Sequence, residues 1–281
     1  MFILKDKIKR ESEIESRNLL RKFLVAKDIL FQHFTQISEN VLLPDLYGKT
    51  VLVTESTFPK IHQKRKIISN FLNIPAPDIF IYENFYYGSD INGLRKPWIE
   101  ISSKTINDFS SGEITFLLAK QISHIYLNHF ITKIHSEQIQ KSLSFIEQTP
   151  GLNLVNLFGT MDTYEKAFQL IYYNWNREIT HTGDIYGLLF SGSLKSANNC
   201  IIKLIINDKE LSEKLEVHEY IKQHKYLSSL KGIISFYTKL DEAVPYGPIR
   251  IAELIKFLVN SENKKIFQDM KQVQEELNEI Q

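Results

Sequence analysis

One cysteine, Cys200, stands in 281 residues. A lone thiol excludes an intramolecular disulfide and suits a reducing, cytoplasmic setting. Its surroundings, NNCIIKLII, read as an apolar helix in which the thiol packs. No apolar run approaches the roughly 20 residues needed to span a bilayer, so membrane insertion is not expected. The opening MFILKDKIKRE is too short in apolar residues for a signal peptide. A formal net charge of +1 supplies no field to gather nucleic acid or an anionic membrane, so neither is an expected partner. A Ser-His-Asp order, a Gly-rich phosphate loop, a CxxC pair, internal repeats and low-complexity tracts are all missing too.

What is present is a chain that can bury a core. Hydrophobic residues make up 43% of it, which excludes a disordered chain, and the length suits one domain over 1–281. Residues 8 to about 38 read as a long N-terminal helix, with Leu19, Leu20, Phe23, Leu24, Leu30, Phe31 and Phe34 on one side. Leu43, Pro44, Asp45 and Gly48 read as a turn, and TVLVT at 50–54 as a strand. The basic run KIHQKRK at 60–66 reads as the solvated face of a helix whose apolar side is Ile61, Ile67, Ile68, Phe71 and Leu72. Asp78–Tyr82 and Trp98–Ser102 read as strands, with the aromatics Tyr82, Phe85, Tyr86 and Tyr87 after the first as core or groove. Residues 137–165 read as a loop region with a short helix. Helices are expected from Met161 to about Phe190 and over 198–206, 212–224 and 228–240. Ile266, Met270, Val273, Leu277 and Ile280 form a heptad-like seam on a C-terminal helix at 266–281, expected to pack on the domain.

The most informative stretch is SSGEITFLLAKQISHIYLNHF, residues 110–130. Ser110 and Glu113 make a capping box, and Ile114, Leu117, Leu118, Ile122 and Ile125 recur at helical spacing. Lys120 and His124 stand four apart and share a face. A zinc peptidase helix carries its two H-E-x-x-H histidines at that spacing, with a glutamate after the first. Here the five residues are Lys120, Gln121, Ile122, Ser123 and His124.

Four blocks, in order over about residues 75 to 267, carry a resemblance: PDIFIYENFYYGSDINGLRKPWIEISSKTIND, LLAKQISHIYLNH, WNREITHTGDIYGLLFSGSLKSANNCIIKL and VPYGPIRIAELIKFLVNSENKKI. Together the chain resembles the HtpX and CAAX prenyl endopeptidase type of zinc metallopeptidase, a gluzincin family, in a branch without membrane spans. The resemblance implies an α+β, mostly helical, zincin-like fold with a small β-sheet and a central motif helix. It implies a peptidase-like core over 50–267 and makes Pro97–Ser103 the candidate substrate-binding edge strand.

Aligned on that family, Lys120 stands at the first zinc-ligating histidine and Gln121 at the general-base glutamate. His124 is the only retained ligand position, Thr180 stands at the third ligand, and Asp184 at the aspartate that orients the first histidine. The motif is therefore degenerate. A protonated lysine has no lone pair to give, a glutamine cannot take a proton, and a threonine hydroxyl is a poor zinc ligand. His129 and His181 are expected as single exposed histidines, and Val244 replaces the family's H-P histidine while Arg250 remains. The expectation is a pseudopeptidase without zinc, with the Lys120 ammonium paired to Asp184, acting by binding. A peptide, an active paralogue or another protein are the partners left open. The alternative is an enzyme in the same cleft, with a rewired zinc site or other chemistry, such as a peptidase acting on a peptide precursor.

Overall fold

The computed structural model describes residues 4–8, 10–24, 43–134, 136–137, 161–230 and 242–280. In chain order these form α1 (Leu4–Lys7), α2 (Glu11–Leu24), β1 (Val51–Leu52), α3 (Pro59–Leu72), β2 (Asp78–Tyr82), β3 (Ser89–Asn92), β4 (Trp98–Ser102), α4 (Ser103–Asp108) and α5 (Ser111–Tyr126). After them come α6 (Met161–Ser191), α7 (Leu194–Ile206), α8 (Lys209–Lys214), α9 (Val217–Ser229), α10 (Gly247–Val259), α11 (Ser261–Asp269) and α12 (Lys271–Glu279). The protein is mostly helical with a small mixed sheet, an α+β class. Among the described residues no helix is long and apolar enough to cross a membrane.

The sheet has the order β1-β2-β4-β3, with β2 and β4 parallel and the outer pairings antiparallel. Period-two alternation decides its faces. Ile79, Ile81, Ile91, Ile99 and Ile101 join the main core with Ile114, Leu118 and Ile122 of α5. Phe80 and Trp98 face the other way and are covered by Leu46 from the short helical segment 43–49. That segment was expected to be a turn. The backbone makes a helical hydrogen bond from Thr50 N to Leu46 O instead, and from that segment Leu46 clusters with Phe80 and Trp98.

α5 starts as expected, with both halves of the capping box formed between Ser110 and Glu113. Glu113 is buried, and its second partner is the buried ammonium of Lys203 on α7, 3.0 Å from Oε2. Lys203 also donates to Asp108 O at 3.0 Å, so one ammonium ties α7 to the entrance of the central helix. α5 lies along α6, and glycines permit the approach. A Cβ at Gly187 would stand 2.6 Å from a ring carbon of Phe116.

Several expectations are corrected here. The N-terminal helix is broken at Ile8, and Leu20 is buried while Leu19 is exposed; Leu30, Phe31 and Phe34 lie outside the described residues. The basic run on α3 is only partly solvated: Lys64 is buried and donates to Thr115 Oγ1 (2.9 Å) and Leu277 O (2.7 Å), and Arg65 donates to Pro77 O (3.1 Å). Two cations were thus recruited to satisfy buried acceptors, which an amphipathic pattern does not reveal. Phe85 and Tyr86 are exposed and Tyr87 is buried. The helix expected over 212–224 is two helices, because Leu215 leaves the helical region and Asp208 caps α8 separately. The expected seam holds, but on two helices: Ile266, Met270, Val273, Leu277 and Ile280 are all buried. Most of 137–165 and of 228–240 lies outside the described residues.

The Glu113–Lys203 pair sets a first expected outcome. Lys203→Met leaves a buried carboxylate without its cation and should cost about 3–5 kcal/mol in urea unfolding. Adding Glu113→Gln should recover part of that loss. A single-variant loss under about 1 kcal/mol would mean the pair is effectively solvated.

Candidate functional site

α5 and α6 meet along the face that carries Lys120 and His124, and a cavity of about 910 Å³ opens beside it. Lys120, Gln121, His124, Thr180, His129 and Arg250 all line that cavity, with Ser89 to Ile91 of β3 across from them. The residues singled out in the sequence are therefore together, except Asp184, which lies just beneath the lining at 1% exposure, and His181, which lines a smaller cavity with Arg177, Glu178 and Ile249. Gly183 makes room for this packing: a Cβ there would stand 2.7 Å from His124 Nε2 and 3.1 Å from Lys120 Cγ.

Lys120 Nζ donates to Asp184 Oδ1 at 2.8 Å, the pairing that was expected. Arg250 was not foreseen as its rival. From the first turn of α10, its Nε donates to Asp184 Oδ2 at 2.7 Å and its Nη2 to Oδ1 at 2.8 Å, a bidentate clamp. Burial alone would raise the Asp184 carboxyl, but Arg250 and then Lys120 outweigh it and hold it well below the usual carboxylate range. Lys120 moves the other way: burial lowers its ammonium, Arg250 lowers it further, and Asp184 only partly opposes them. Arg250 could be singled out in the sequence only through the H-P-x-x-x-x-R resemblance.

Gln121 Nε2 donates to Ser89 O (3.0 Å) and Ser89 Oγ (2.6 Å) on β3. This corrects the expected edge strand. β4 is paired on both sides, to β2 and to β3, and β3 is the strand that borders the cavity. Ser102 N donates to Gly88 O at 3.0 Å, so antiparallel alternation turns the Ser89 and Ile91 backbone groups away from β4. Two of those outward groups are already occupied, Ser89 O by Gln121 and Ile91 N by Asp90 Oδ1 at 2.8 Å. The edge is partly occupied from within.

The histidines also depart from expectation. α5 stops at Tyr126, Asn128 takes a left-handed conformation at φ 57°, and a new helical segment begins at 129. That turn swings His129 back, so His124 Nδ1 and His129 Nδ1 are 3.0 Å apart and both rings are buried. His129 Nε2 is 2.9 Å from Glu13 Oε1, and Glu13 Oε2 accepts from Thr182 Oγ1 at 2.5 Å. Burial, opposed by Glu13, still lowers His129; burial and then His129 push His124 well below its usual value. With Glu13 ionised, the tautomers follow: His129 Nε2–H donates to Glu13, His124 Nδ1–H donates to His129, and the lone pair of His124 stays on Nε2. His181 is also buried, lowered to about 4 by burial, and its Nδ1 has no hydrogen-bond partner among the described residues. Glu13 carried no sequence signal, since it sits more than a hundred residues from its imidazole.

A catalytic zinc needs three lone-pair donors and an open position. Lys120 offers an ammonium already bonded to Asp184, and Thr180 a hydroxyl that donates to Asn176 O at 2.8 Å. His124 Nε2 alone brings a suitable lone pair. Among the described residues no group of three His, Cys, Asp or Glu side chains is placed to hold a metal ion. This donor set does not fit a catalytic zinc.

Fold and site together define a mostly helical α+β protein whose capped central helix forms one wall of a cavity beside a small mixed sheet. Over 190 residues, 66% of the chain, the sequence is 24% identical to the plastoglobule-localized metallopeptidase 48, chloroplastic, of Arabidopsis thaliana. The chain spans about half, 52%, of that relative's length. No family model matches the chain, and no solved structure matches it. At that distance the chain is metallopeptidase-like.

The three-residue cluster makes two variants diverge. Asp184→Asn strands two buried cations and should cost about 3–5 kcal/mol, whereas Lys120→Met leaves the Asp184–Arg250 pair intact and should stay within about 1 kcal/mol of the parent. The folded Asp184 carboxyl titrates below its unfolded counterpart. Its contribution is therefore complete above the ordinary carboxylate range and lost as pH falls below about 4. Denaturant midpoints measured from pH 7 to pH 3 should show a shallower acid limb for Asp184→Asn. Equal cost for the two variants would mean Arg250 does not hold Asp184 on its own.

Proposed function

We propose that this chain is a non-catalytic homologue of a zincin-like, HtpX-type metallopeptidase that has lost zinc and acts by holding a peptide or protein segment in the former catalytic cleft. One observation carries the reading: the Lys120 ammonium is bonded to Asp184, the pair that the resemblance would put at a first ligand and the aspartate orienting it. The other two replacements support it, since Gln121 and Thr180 have each found a partner inside the protein. The bound segment enters the cavity rather than extending the sheet, because Gln121 occupies the Ser89 carbonyl on β3. An active paralogue is one candidate source of that segment. A reducing, cytoplasmic setting belongs to the same proposal, on the strength of the lone, buried Cys200.

A second reading, an enzyme with other chemistry in this cleft, draws on one feature. The chain Glu13–His129–His124 leaves an unprotonated Nε2 on an imidazole that lines the cavity. Such a nitrogen can take a proton. Turnover of a peptide by the purified protein, lost in His124→Gln, would favour this reading over the first.

Two measurements test the leading reading. Elemental analysis of purified protein should return far less than one zinc per chain. About one zinc, removed by chelation with loss of stability, would overturn it. The triple variant Lys120→His, Gln121→Glu, Thr180→Glu rebuilds three ligands and a base. It frees one Asp184 bond to accept the new imidazole N–H while Arg250 keeps the other side. A folded triple variant should take up about one zinc per chain and melt higher with zinc than without. Uptake no greater than in the parent protein would show that Thr180 is not the third-ligand position.

A further inference from the structure

The floor of the cavity sets two cationic side chains on one carboxylate. Lys120 and Arg250 both draw on the single carboxylate of Asp184, whose Oδ1 is 2.8 Å from each of them. Two of the three Lys120 N–H groups and Arg250 Nη1 make no hydrogen bond among the described residues. Among the described residues no carboxylate other than Asp184 bonds either cation. Lys133 is paired with Asp90 and Glu137, Glu242 is exposed, and His124 and His129 are held neutral. Cations buried beyond their counter-charge are costly, and proteins keep them where something else supplies the anion.

We propose that this floor is a binding site for a carboxylate, taken by Lys120 Nζ and Arg250 Nη1 side by side. The inference rests on the binding reading above and names the chemistry of what is bound. Two cationic side chains sharing one carboxylate leave a place for a monoanion. Lys120 Nζ and Arg250 Nη2 touch the same Asp184 oxygen, so the two cationic heads are neighbours, and a carboxylate is a planar anion that guanidinium favours. Leu117, Ile179, Leu204 and Pro245 make the walls above largely apolar, so the ligand carries an apolar body behind its carboxylate. A peptide C-terminus ending in an apolar residue and a free aliphatic acid both present this chemistry. At about 910 Å³ the cavity has room for either.

The test compares three probes on the full chain by calorimetry and thermal shift: an N-acetylated pentapeptide ending in leucine as the free acid, the same peptide as its C-terminal amide, and octanoate. The acid peptide should bind about tenfold or more tighter than the amide and raise the melting temperature. Lys120→Met should remove about tenfold of that affinity and narrow the acid–amide ratio by the same factor. Octanoate weaker than the acid peptide identifies a peptide end as the source; octanoate as tight or tighter identifies a free acid. The acid–amide comparison on the unsubstituted chain needs no variant, so a misfolded Lys120→Met does not rescue the proposal. Equal binding of acid and amide, no binding of either acid, or acid binding untouched in a folded Lys120→Met would overturn it. Equal binding would leave the peptide-holding reading in place, whereas stoichiometric zinc or cleavage of the pentapeptide would remove that reading itself.

Discussion

Asp184 is the point from which the rest of the site follows. Its carboxylate is buried on α6, so it needs a cation, and it receives two: Lys120 from α5 and Arg250 from α10. Those bonds bring together residues 64 and 66 positions apart. They set where α10 begins against the helix pair, and with it the floor of the cavity. A metal ion in such a place would draw its ligands toward one centre. Here the centre of attraction is an anion, and the surrounding groups are donors.

The side chains at three positions of the resembled motif are all bonded within the protein. Lys120 bonds Asp184, Gln121 bonds Ser89, and Thr180 bonds Asn176. None of the three is left as an orphaned buried polar group. Gln121 carries no group able to take a proton, and its amide N–H occupies the Ser89 carbonyl that β3 turns away from β4.

What could be read along the chain was local. The central helix announced itself through Ser110, Glu113 and apolar residues at helical spacing, because a cap and a period involve neighbours within a turn. Asp78–Tyr82 and Trp98–Ser102 were legible from β-branched runs, while β3, SDIN, was not, since it has little of that character. The Lys120–Asp184 pair was legible because resemblance supplied the pairing and charge supplied the reason. The His124–His129 contact depended on a break at Asn128. An asparagine that accepts a left-handed conformation is a recognised helix stop, and it outweighed the five-residue spacing that would otherwise send the two rings apart.

By itself, then, the sequence determined that the chain is helical and able to bury a core, where the capped helix lies, and which side chains share its face. Each of these is set by propensity and period over a few residues. Only the tertiary structure decided that β4 is interior and β3 borders the cavity, that Lys64 and Lys203 are buried, that Glu13 orients an imidazole, and that Arg250 shares Asp184 with Lys120. The reason is the same in every case. A buried polar group is satisfied by whichever partner the packing of distant elements brings within about 3 Å, and that proximity is not encoded in the spacing of either residue along the chain.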